Sequence, residues 1–322
     1  MQISRRHFLS LAVFAAVAPN NPRSAIAQAY PTRPVRWIVG GSAGSPTDTY
    51  ARLLGQWLSE RLGQPFVIEN RPGSGGNIGT AAAVRAPADG YSLLLVSTTN
   101  AISATLYEKL SFDFIRDIVP VAAIARVPLV LEVNPTVPAK TVPELIAYAK
   151  ANPGRIILAS PGIGTLPHLL GELFKVIAGI DMVHVPYRSG APALTDLIGG
   201  QVHVYFDGIS SSIEHIKAGK LRPLAITAAT RLKELPDVPA MSEFLPGYEA
   251  SGWFGVGAPI GTPAEIIERL NSEINAGLAN PQIKDQLGDT VLAMSPADFG
   301  RLIADETEKW AKVVRTAGIK PD

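Results

Sequence analysis

The chain has 322 residues, 47% of them hydrophobic, and its 29 Lys and Arg residues nearly balance 28 Asp and Glu residues. This balance leaves no basic field that would attract nucleic acid or anionic lipid. The sequence contains no Cys, which excludes a disulfide framework and a thiolate zinc site. A chain of this length buries a large core, and we expect two lobes rather than one.

The first 27 residues predict an export signal. Ser4-Arg5-Arg6-His7-Phe8-Leu9 is a twin-arginine pattern, and Ala25-Ile26-Ala27 is a small-x-small cleavage pattern. The alternative is a membrane anchor, which needs about 20 apolar residues, but the apolar run ends at Pro19. We therefore expect a twin-arginine signal peptide over residues 1–27, removed near Ala27, and a periplasmic mature protein.

Residues 35–97 predict alternating strands and helices. Residues 35–39 form a short apolar strand, and a helix follows with Ser45 placed to cap it and Pro46 at its first position. Two more strands are predicted at 66–68 and 91–97, with a helix at 78–84 between them. Alternation of this kind indicates a parallel sheet with helices on its faces.

A second set of elements begins near Pro128. Its predicted strands cover residues 129–133, 156–160, 182–185, 202–206 and 224–227. Two later helices, which begin near 262 and 295, have few strands of their own to cover, so we expect them to pack on the first sheet. The prediction is an α/β protein with two lobes, each a mostly parallel sheet flanked by helices. Lobe 1 would contain residues 28–125 and 226–322, and lobe 2 residues 126–225.

The segment Gly40-Gly41-Ser42-Ala43-Gly44 matches the G-x-S-x-G pattern of a serine hydrolase. Only one strand precedes Ser42, whereas a nucleophile elbow normally follows several strands of a large sheet. A catalytic base would have to be chosen freely among four histidines, at positions 168, 184, 203 and 215. A secreted serine hydrolase that uses Ser42 therefore stands only as an alternative.

The Gly-rich segment 73–79 follows a strand and opens a helix, as a dinucleotide fingerprint does. Its spacing is G-x-G-x-x-x-G, and the next strand ends in Ser97 and two threonines rather than in an acidic residue. This pattern favours a tight turn. Because no His, Asp or Glu cluster has metal-ligand spacing, we expect neither a cofactor nor a metal.

Three short polar segments share a property that favours anion binding. Each follows a predicted strand, precedes a helix and directs backbone N–H groups along the helix axis; they are residues 41–45, 97–100 and 162–165. Helix N-termini bind anions because unpaired N–H groups and the helix dipole both favour negative charge. Two such termini on facing lobes would hold the two ends of a dicarboxylate in the crevice between them.

A series of short motifs spans nearly the whole mature chain. They include Glu69-Asn70-Arg71-Pro72-Gly73-Ser74-Gly75-Gly76, Ala88-Asp89-Gly90-Tyr91, His184-Val185-Pro186-Tyr187-Arg188, Gly199-Gly200-Gln201-Val202 and Ala258-Pro259-Ile260-Gly261-Thr262-Pro263. In this order they resemble the periplasmic substrate-binding proteins of tripartite tricarboxylate transporters, often called the Bug type. The resemblance implies a two-lobed periplasmic-binding-protein type II fold whose ligand binds between the lobes.

The resemblance also implies a function without catalysis. A small carboxylate, either a dicarboxylate or an aromatic acid, would be captured and delivered to membrane permease subunits, and the receptor would be a monomer that binds no nucleic acid. Backbone amides and small hydroxyl side chains would hold the ligand. The implied substrate-binding positions are Ser42, Ala43, Gly44, Ser45, Thr47, Asp48, Ser97, Thr98, Asn100, Ser160, Gly164 and Thr165, with Tyr187 and Asp207 at the rim. A receptor that reports the same carboxylate to a signalling partner is a further alternative.

One segment departs from the family pattern. Relatives usually read Pro-Phe-x-Pro-Gly-Gly before a Thr-Asp pair, whereas this chain reads Gly40-Gly41-Ser42-Ala43-Gly44-Ser45 and then Pro46. The aromatic residue expected at Gly41 is missing. The departure predicts a looser loop and an altered choice of carboxylate.

Overall fold

The computed structural model describes residues 30–107, 109–228, 230–246, 248, 250–287 and 291–320. The predicted signal peptide at 1–27 lies outside these residues. Within them, no helix is both long enough and apolar enough to cross a membrane.

The described residues form ten strands and eleven α-helices. The strands are β1 (Val35–Val39), β2 (Phe66–Asn70), β3 (Ser92–Ser97), β4 (Ile118–Val127), β5 (Leu129–Val133), β6 (Ile157–Ser160), β7 (Val183–Pro186), β8 (Val204–Gly208), β9 (Arg222–Ile226) and β10 (Gly252–Pro259). The helices are α1 (Pro46–Leu62), α2 (Asn77–Val84), α3 (Thr98–Leu106), α4 (Phe114–Asp117), α5 (Val142–Ala151), α6 (Leu166–Ala178), α7 (Gly190–Ile198), α8 (Ile209–Lys217), α9 (Ala264–Ala279), α10 (Pro281–Leu287) and α11 (Pro296–Ala317).

The strands form two five-stranded sheets. The first has the order β2-β1-β3-β10-β4 and the second the order β7-β6-β8-β5-β9. The chain passes from the first sheet to the second between β4 and β5, which only Pro128 separates. The two-lobed α/β architecture expected from the sequence is therefore confirmed.

Each sheet is mostly parallel, as expected, with four strands in one direction and a single antiparallel strand. In the first sheet β10 runs antiparallel to β3 and β4, and in the second β5 runs antiparallel to β8 and β9. The cause is the path of the chain. A strand that arrives from the other lobe enters its sheet at the edge facing the crevice, where the parallel strands end, and so runs in the opposite direction.

The helix that begins after Ser45 forms as predicted. The Ser45 side chain accepts the N–H of Asp48, Pro46 occupies the first turn, and the helix ends at Gly63 in the left-handed conformation. These are the residue types that favour a helix start and a helix end.

The last two long helices differ in how they pack. Helix α9 buries an apolar face on the first sheet, as expected. Helix α11 begins on the same lobe with Phe299 and Ile303, but its second half places Trp310 and Val314 in the core of the second lobe. This helix therefore joins the two cores.

The exact lobe boundaries, 28–125 with 226–322 and 126–225, stay a prediction. The segment that follows β9 bears on them, because Met241, Tyr248 and Ala250 are buried in the same core as β5 and α6. The chain returns to the first sheet at Gly252, the first residue of β10.

Candidate functional site

The loop after β1 is organised by a buried carboxylate at the start of α1. Asp48 is 3% exposed; its Oδ2 accepts the Gly44 N–H at 2.9 Å and Arg52 Nε at 2.8 Å. Its Oδ1 accepts Asn70 Nδ2 at 2.9 Å. Burial alone would raise the pKa of Asp48, but the hydrogen bonds from Arg52, Gly44 and Asn70 outweigh it and hold the pKa below the usual value. Asp48 thus holds the loop in place.

The remaining predicted residues of this loop lie at its surface. Ser42, Ala43 and Gly44 are exposed, while Ser45 and Thr47 are half-buried. The hydroxyls of Ser45 and Thr47 lie 2.9 Å apart. A Cβ at Gly41 would lie 2.6 Å from Ser45 Oγ and closer still to Thr47 Oγ1. The missing aromatic residue is therefore replaced by a pair of hydroxyls that occupy the space beside position 41.

The segment 97–100 is a helix start rather than a loop, which corrects the expected local structure. Ser97 is the N-cap of α3, and its N–H donates to Asn100 Oδ1 at 2.8 Å. Asn100 Nδ2 donates to Thr80 Oγ1 at 2.8 Å, and Thr98 Oγ1 accepts the Trp253 N–H at 2.8 Å. These side chains fix the helix N-terminus to its neighbours.

The segment 161–165 is the loop that leads into α6 in the second lobe. Thr165 is the N-cap residue, and its hydroxyl donates to Gly162 O at 2.7 Å. Ser160 is fully buried; its Oγ accepts the Gly162 N–H at 3.2 Å and lies 2.7 Å from His184 Nε2. The Gly164 N–H donates to His168 Nδ1 at 3.2 Å. Side chains inside the lobe therefore accept two of the N–H groups of this segment.

The N-termini of α3 and α6 converge at Gly252, where the chain returns to the first lobe. A Cβ at Gly252 would lie 2.7 Å from Leu166 Cδ2 and 3.7 Å from Thr98 Oγ1. Leu166 and Thr98 are the first residues of α6 and α3. A Cβ at Gly164 would lie 2.5 Å from Leu106 Cδ2, so the loop before α6 also runs along α3. The first residues of α3 and α6, one helix from each lobe, therefore both lie beside Gly252.

The two predicted rim residues are engaged inside lobe 2. The hydroxyl of Tyr187 donates to Asp196 Oδ2 at 2.7 Å, and burial together with this carboxylate raises the pKa of Tyr187 to about 12. Asp207 is 8% exposed, and its Oδ2 accepts the hydroxyls of Ser211 at 2.7 Å and Ser212 at 2.9 Å. The ligand-binding role of the fourteen named positions stays a prediction.

Sequence reasoning missed a buried carboxyl beside Asp207. Glu132, in the middle of β5, is 0% exposed, and its Oε2 is buried without a hydrogen-bond partner. Its Oε1 lies 2.9 Å from Ser212 Oγ, which is also 2.9 Å from Asp207 Oδ2. Ser212 has only one hydrogen to donate, so one of these contacts is favourable only when a carboxyl supplies the hydrogen.

Glu132 is the group that holds this proton. Burial, with a smaller effect from the charge of Asp207, raises the pKa of Glu132 well above its usual value. Burial also raises the pKa of Asp207, but hydroxyl donors from Ser211 and Ser212 partly compensate. The hydrogen bonds therefore run from Glu132 to Ser212 and from Ser212 to Asp207. Nothing in the sequence around Glu132 signals this, since it depends on which strand lies beside β5.

The described residues contain no group of three or more His, Asp or Glu side chains that could hold a metal ion. Arg52, one turn beyond Asp48 on α1, is paired with Asp48 at 2.8 Å. A second cation, Arg126, donates from Nη1 to Ser251 Oγ at 3.2 Å, next to Gly252.

Two α/β lobes, with a helix start from each beside the segment that joins them, are typical of a solute-binding protein. Residues 50–319 match the model of the tripartite tricarboxylate transporter family receptor. The chain belongs to this family, as the resemblance implied, and the family consists of periplasmic solute receptors.

Individual relatives agree over nearly the whole chain. Protein BugT of Bordetella pertussis is 40% identical over 300 residues, which is 91% of this chain and 92% of BugT. The structure of Rpa4515 from R. palustris with adipate is 38% identical, covers 91% of this chain and 100% of that chain, and has a TM-score of 0.85. MatC from Rhodopseudomonas palustris with bound malate is 30% identical, covers 88% of this chain and 100% of that chain, and has a TM-score of 0.81.

Proposed function

We propose that this protein is a non-enzymatic periplasmic receptor that captures a small carboxylate between its lobes and delivers it to membrane permease subunits. The observation that carries the proposal is the convergence of the α3 and α6 N-termini at Gly252. Helix N-termini favour negative charge, and here each lobe contributes one. A bound carboxylate would therefore contact both lobes and favour their closed arrangement.

The ligand class follows from the charges of the site and from the relatives. Arg52 is paired with Asp48, whereas Arg126 donates to Ser251 Oγ at 3.2 Å beside Gly252, so a cation and uncharged donors are both available to an anion at this junction. Rpa4515 and MatC were solved with adipate and malate, which are both dicarboxylates. A dicarboxylate is the ligand that we favour for this chain, with an aromatic acid as the second choice.

A panel of carboxylates tests the proposal. Mature protein would be melted in the presence of mono-, di- and tricarboxylates and of aromatic acids. A ligand at 100 times its dissociation constant adds about 2.7 kcal/mol to the free energy of unfolding, so a true ligand raises the melting temperature by several degrees. If no acid in the panel does so, the receptor proposal fails.

The positions of the four histidines do not favour the hydrolase alternative. Ser42 lies on the first lobe, whereas all four candidate histidines lie on elements of the second. His168 and His184 stack on each other, His203 Nδ1 accepts the Ile157 N–H at 3.0 Å, and His215 is in the last turn of α8. Turnover of ester substrates that disappears in Ser42→Ala would support the hydrolase and contradict the receptor.

Delivery to a permease, rather than to a signalling partner, is tested in the cell. Deletion of the gene should abolish uptake of the ligand that the panel identifies. Normal uptake with loss of a transcriptional response would favour the signalling receptor. Size-exclusion chromatography with light scattering would test the proposed monomer.

Export by the twin-arginine route has its own test. Replacing Arg5 and Arg6 with Lys should leave the protein in the cytoplasm, because the paired arginines are the feature that this route recognises. Normal export of the variant would mean that the general secretory route carries the protein.

A further inference from the structure

Two imidazole rings stack directly behind the loop that precedes α6. His168 lies in the first turns of α6 and His184 on β7; their ring centroids are 4.0 Å apart and their planes differ by 16°. His184 reaches this place because β6 and β7 pair in parallel with His184 opposite Leu158, two residues before Ser160. The pair therefore joins the helix to the edge of the sheet.

His168 fixes one end of the loop. It is 4% exposed, and its Nδ1 accepts the Gly164 N–H at 3.2 Å. Its Nε2 lies 3.8 Å from Glu172 Oε1. Burial, assisted by His184 and Lys175, lowers the pKa of His168 to about 3, so the ring is neutral at physiological pH and Nδ1 stays an acceptor.

His184 acts on the other end of the loop through Ser160. His184 Nε2 lies 2.7 Å from Ser160 Oγ, and Ser160 Oγ accepts the Gly162 N–H at 3.2 Å. Ser160 is fully buried, and its hydroxyl can also donate to Gly162 O at 3.2 Å, so His184 Nε2 completes a set of contacts that joins this hydroxyl to Gly162. The stacked rings thus hold the two glycines on either side of Ile163.

We propose that His184 is a positioning residue for carboxylate binding, and that it acts by fixing the Ser160 hydroxyl and, through it, the loop before α6. The inference rests on the proposed function, because the carboxylate is what the positioned loop would bind. His184 makes this contact through Nε2 and not through Nδ1. Variants that keep a polar atom at the position of one ring nitrogen but not at the other therefore test the proposal.

Two amide side chains imitate the two ring nitrogens of histidine. Gln places its terminal nitrogen near the position of Nε2, whereas Asn reaches only to the position of Nδ1. His184→Gln therefore keeps a partner for Ser160, and His184→Asn removes it, although both variants are neutral. We expect His184→Asn to weaken binding of a carboxylate probe by about tenfold, the effect of one hydrogen bond, and His184→Gln to restore most of the loss.

Calorimetric titration with the best acid of the panel, adipate being the first probe, measures these affinities. His203→Asn is the matched control, because His203 Nδ1 also accepts a backbone N–H in the same sheet, from Ile157 at 3.0 Å, away from the loop. Its affinity should equal that of the wild type. Ser160→Ala removes the same contact from the other side, so combining it with His184→Asn should cost no more than the larger single loss.

Equal affinities of His184→Asn, His184→Gln and the wild type would overturn the inference while leaving the receptor function intact. Additive losses in the double variant would overturn it as well. If the wild type binds no acid of the panel, the proposed function itself fails. Should His184→Asn not fold, His184→Leu, which offers no polar atom to Ser160, compared with His184→Gln gives the same decision.

Discussion

The carboxylate of Asp48 accepts the backbone N–H of Gly44 over 2.9 Å, which closes the loop between the first strand and the first helix. The Gly44 N–H was expected to face a ligand, but it donates to Asp48 instead. Ser97 N–H donates in the same way to Asn100, and Gly164 N–H to His168. In each of the three predicted anion-binding segments, one backbone N–H is thus fixed by a side chain within the segment or in the helix that follows it.

Replacing Asp48 tests this organising role. Asp48→Asn should lower the free energy of unfolding at pH 7 by about 1–3 kcal/mol, because a buried hydrogen-bonded network loses its charged acceptor. The pKa of Asp48 is held low, so the folded state releases this proton more readily than the unfolded chain. The stabilisation is present above the unfolded pKa of about 3.9 and is lost as the pH falls below it.

Urea unfolding at several pH values measures the effect of Asp48. The difference between the wild type and Asp48→Asn should shrink as the pH falls from 5 to 3. Asp285→Asn is the control, since Asp285 is exposed on α10, and it should change stability by less than about 0.5 kcal/mol. A constant difference across this pH range would contradict the assigned ionisation.

The hydroxyl of Thr165 tests whether the loop before α6 contributes more to carboxylate binding than the loop after β1, which contains Ser42. It donates its one hydrogen to Gly162 O at 2.7 Å, so Thr165→Val should loosen the loop. The variant should weaken carboxylate binding by about 1.5–3 kcal/mol if the hydroxyl turns this hydrogen from Gly162 O to the charged ligand. Thr165→Ser keeps the hydroxyl and should bind nearly normally. Ser42→Ala should cost no more than Thr165→Val in the same titration. Binding unaffected by Thr165→Val would remove this hydroxyl from the site.

Gly44→Pro, by contrast, would be an uninformative variant. Gly44 has a φ of 78°, whereas proline requires a φ near −65°. Its effect would therefore combine strain in the loop with any loss of a ligand contact.

Glu132 gives a pH dependence of the opposite sign from Asp48. Its pKa is raised, so above about pH 4.3 the folded state retains a proton that the unfolded chain has released. Stability attributable to Glu132 therefore falls as the pH rises, by at most about 1.4 kcal/mol per pH unit, until the folded pKa is reached. Glu132→Gln cannot ionise and should gain stability relative to the wild type between pH 5 and pH 8.

Infrared spectroscopy would detect the proton on Glu132 directly. The wild type should show a protonated-carboxyl band at neutral pH that Glu132→Gln lacks. Glu214→Gln is the control on the same lobe, because Glu214 forms an exposed ion pair with Lys217, and it should leave both the band and the pH profile unchanged. Absence of the band in the wild type would contradict the hydrogen-bond order through Ser212.

The sequence predicted the helix starts well because they depend on neighbouring residues. Ser45, Thr141 and Ser295 each accept an N–H three residues later, as their patterns indicated. It missed β4 and β10. Three glycines in β10, at 252, 255 and 257, are typical of a turn, but a Cβ at Gly255 would lie 2.6 Å from Phe299 Cε1. The packing partner is distant in sequence, so no local pattern reveals it.

The contacts within the site were equally hard to predict from local patterns. Its positions could be proposed because strand ends and helix starts are visible in the sequence, and family motifs located them. The contacts between Ser160 and His184, and between Glu132 and Ser212, depend instead on which strands and helices become neighbours. Sheet order and register determine both, and neither is encoded within a short window of residues.

Lobe closure should be visible in solution. If a carboxylate bridges the N-termini of α3 and α6, saturating ligand should lower the radius of gyration measured by small-angle scattering. The diamide of the same acid has the same shape without the charge and should leave the profile unchanged. Identical profiles with and without bound acid would argue against closure around the ligand.

The most direct measurement is a crystal structure of the mature protein with the dicarboxylate that binds best. We expect the ligand between the lobes, with a carboxylate about 2.7–3.1 Å from backbone N–H or hydroxyl donors at the starts of α3 and α6. A dicarboxylate bound on one lobe alone, or held by lysine or arginine side chains away from these helix termini, would contradict recognition by the two converging N-termini.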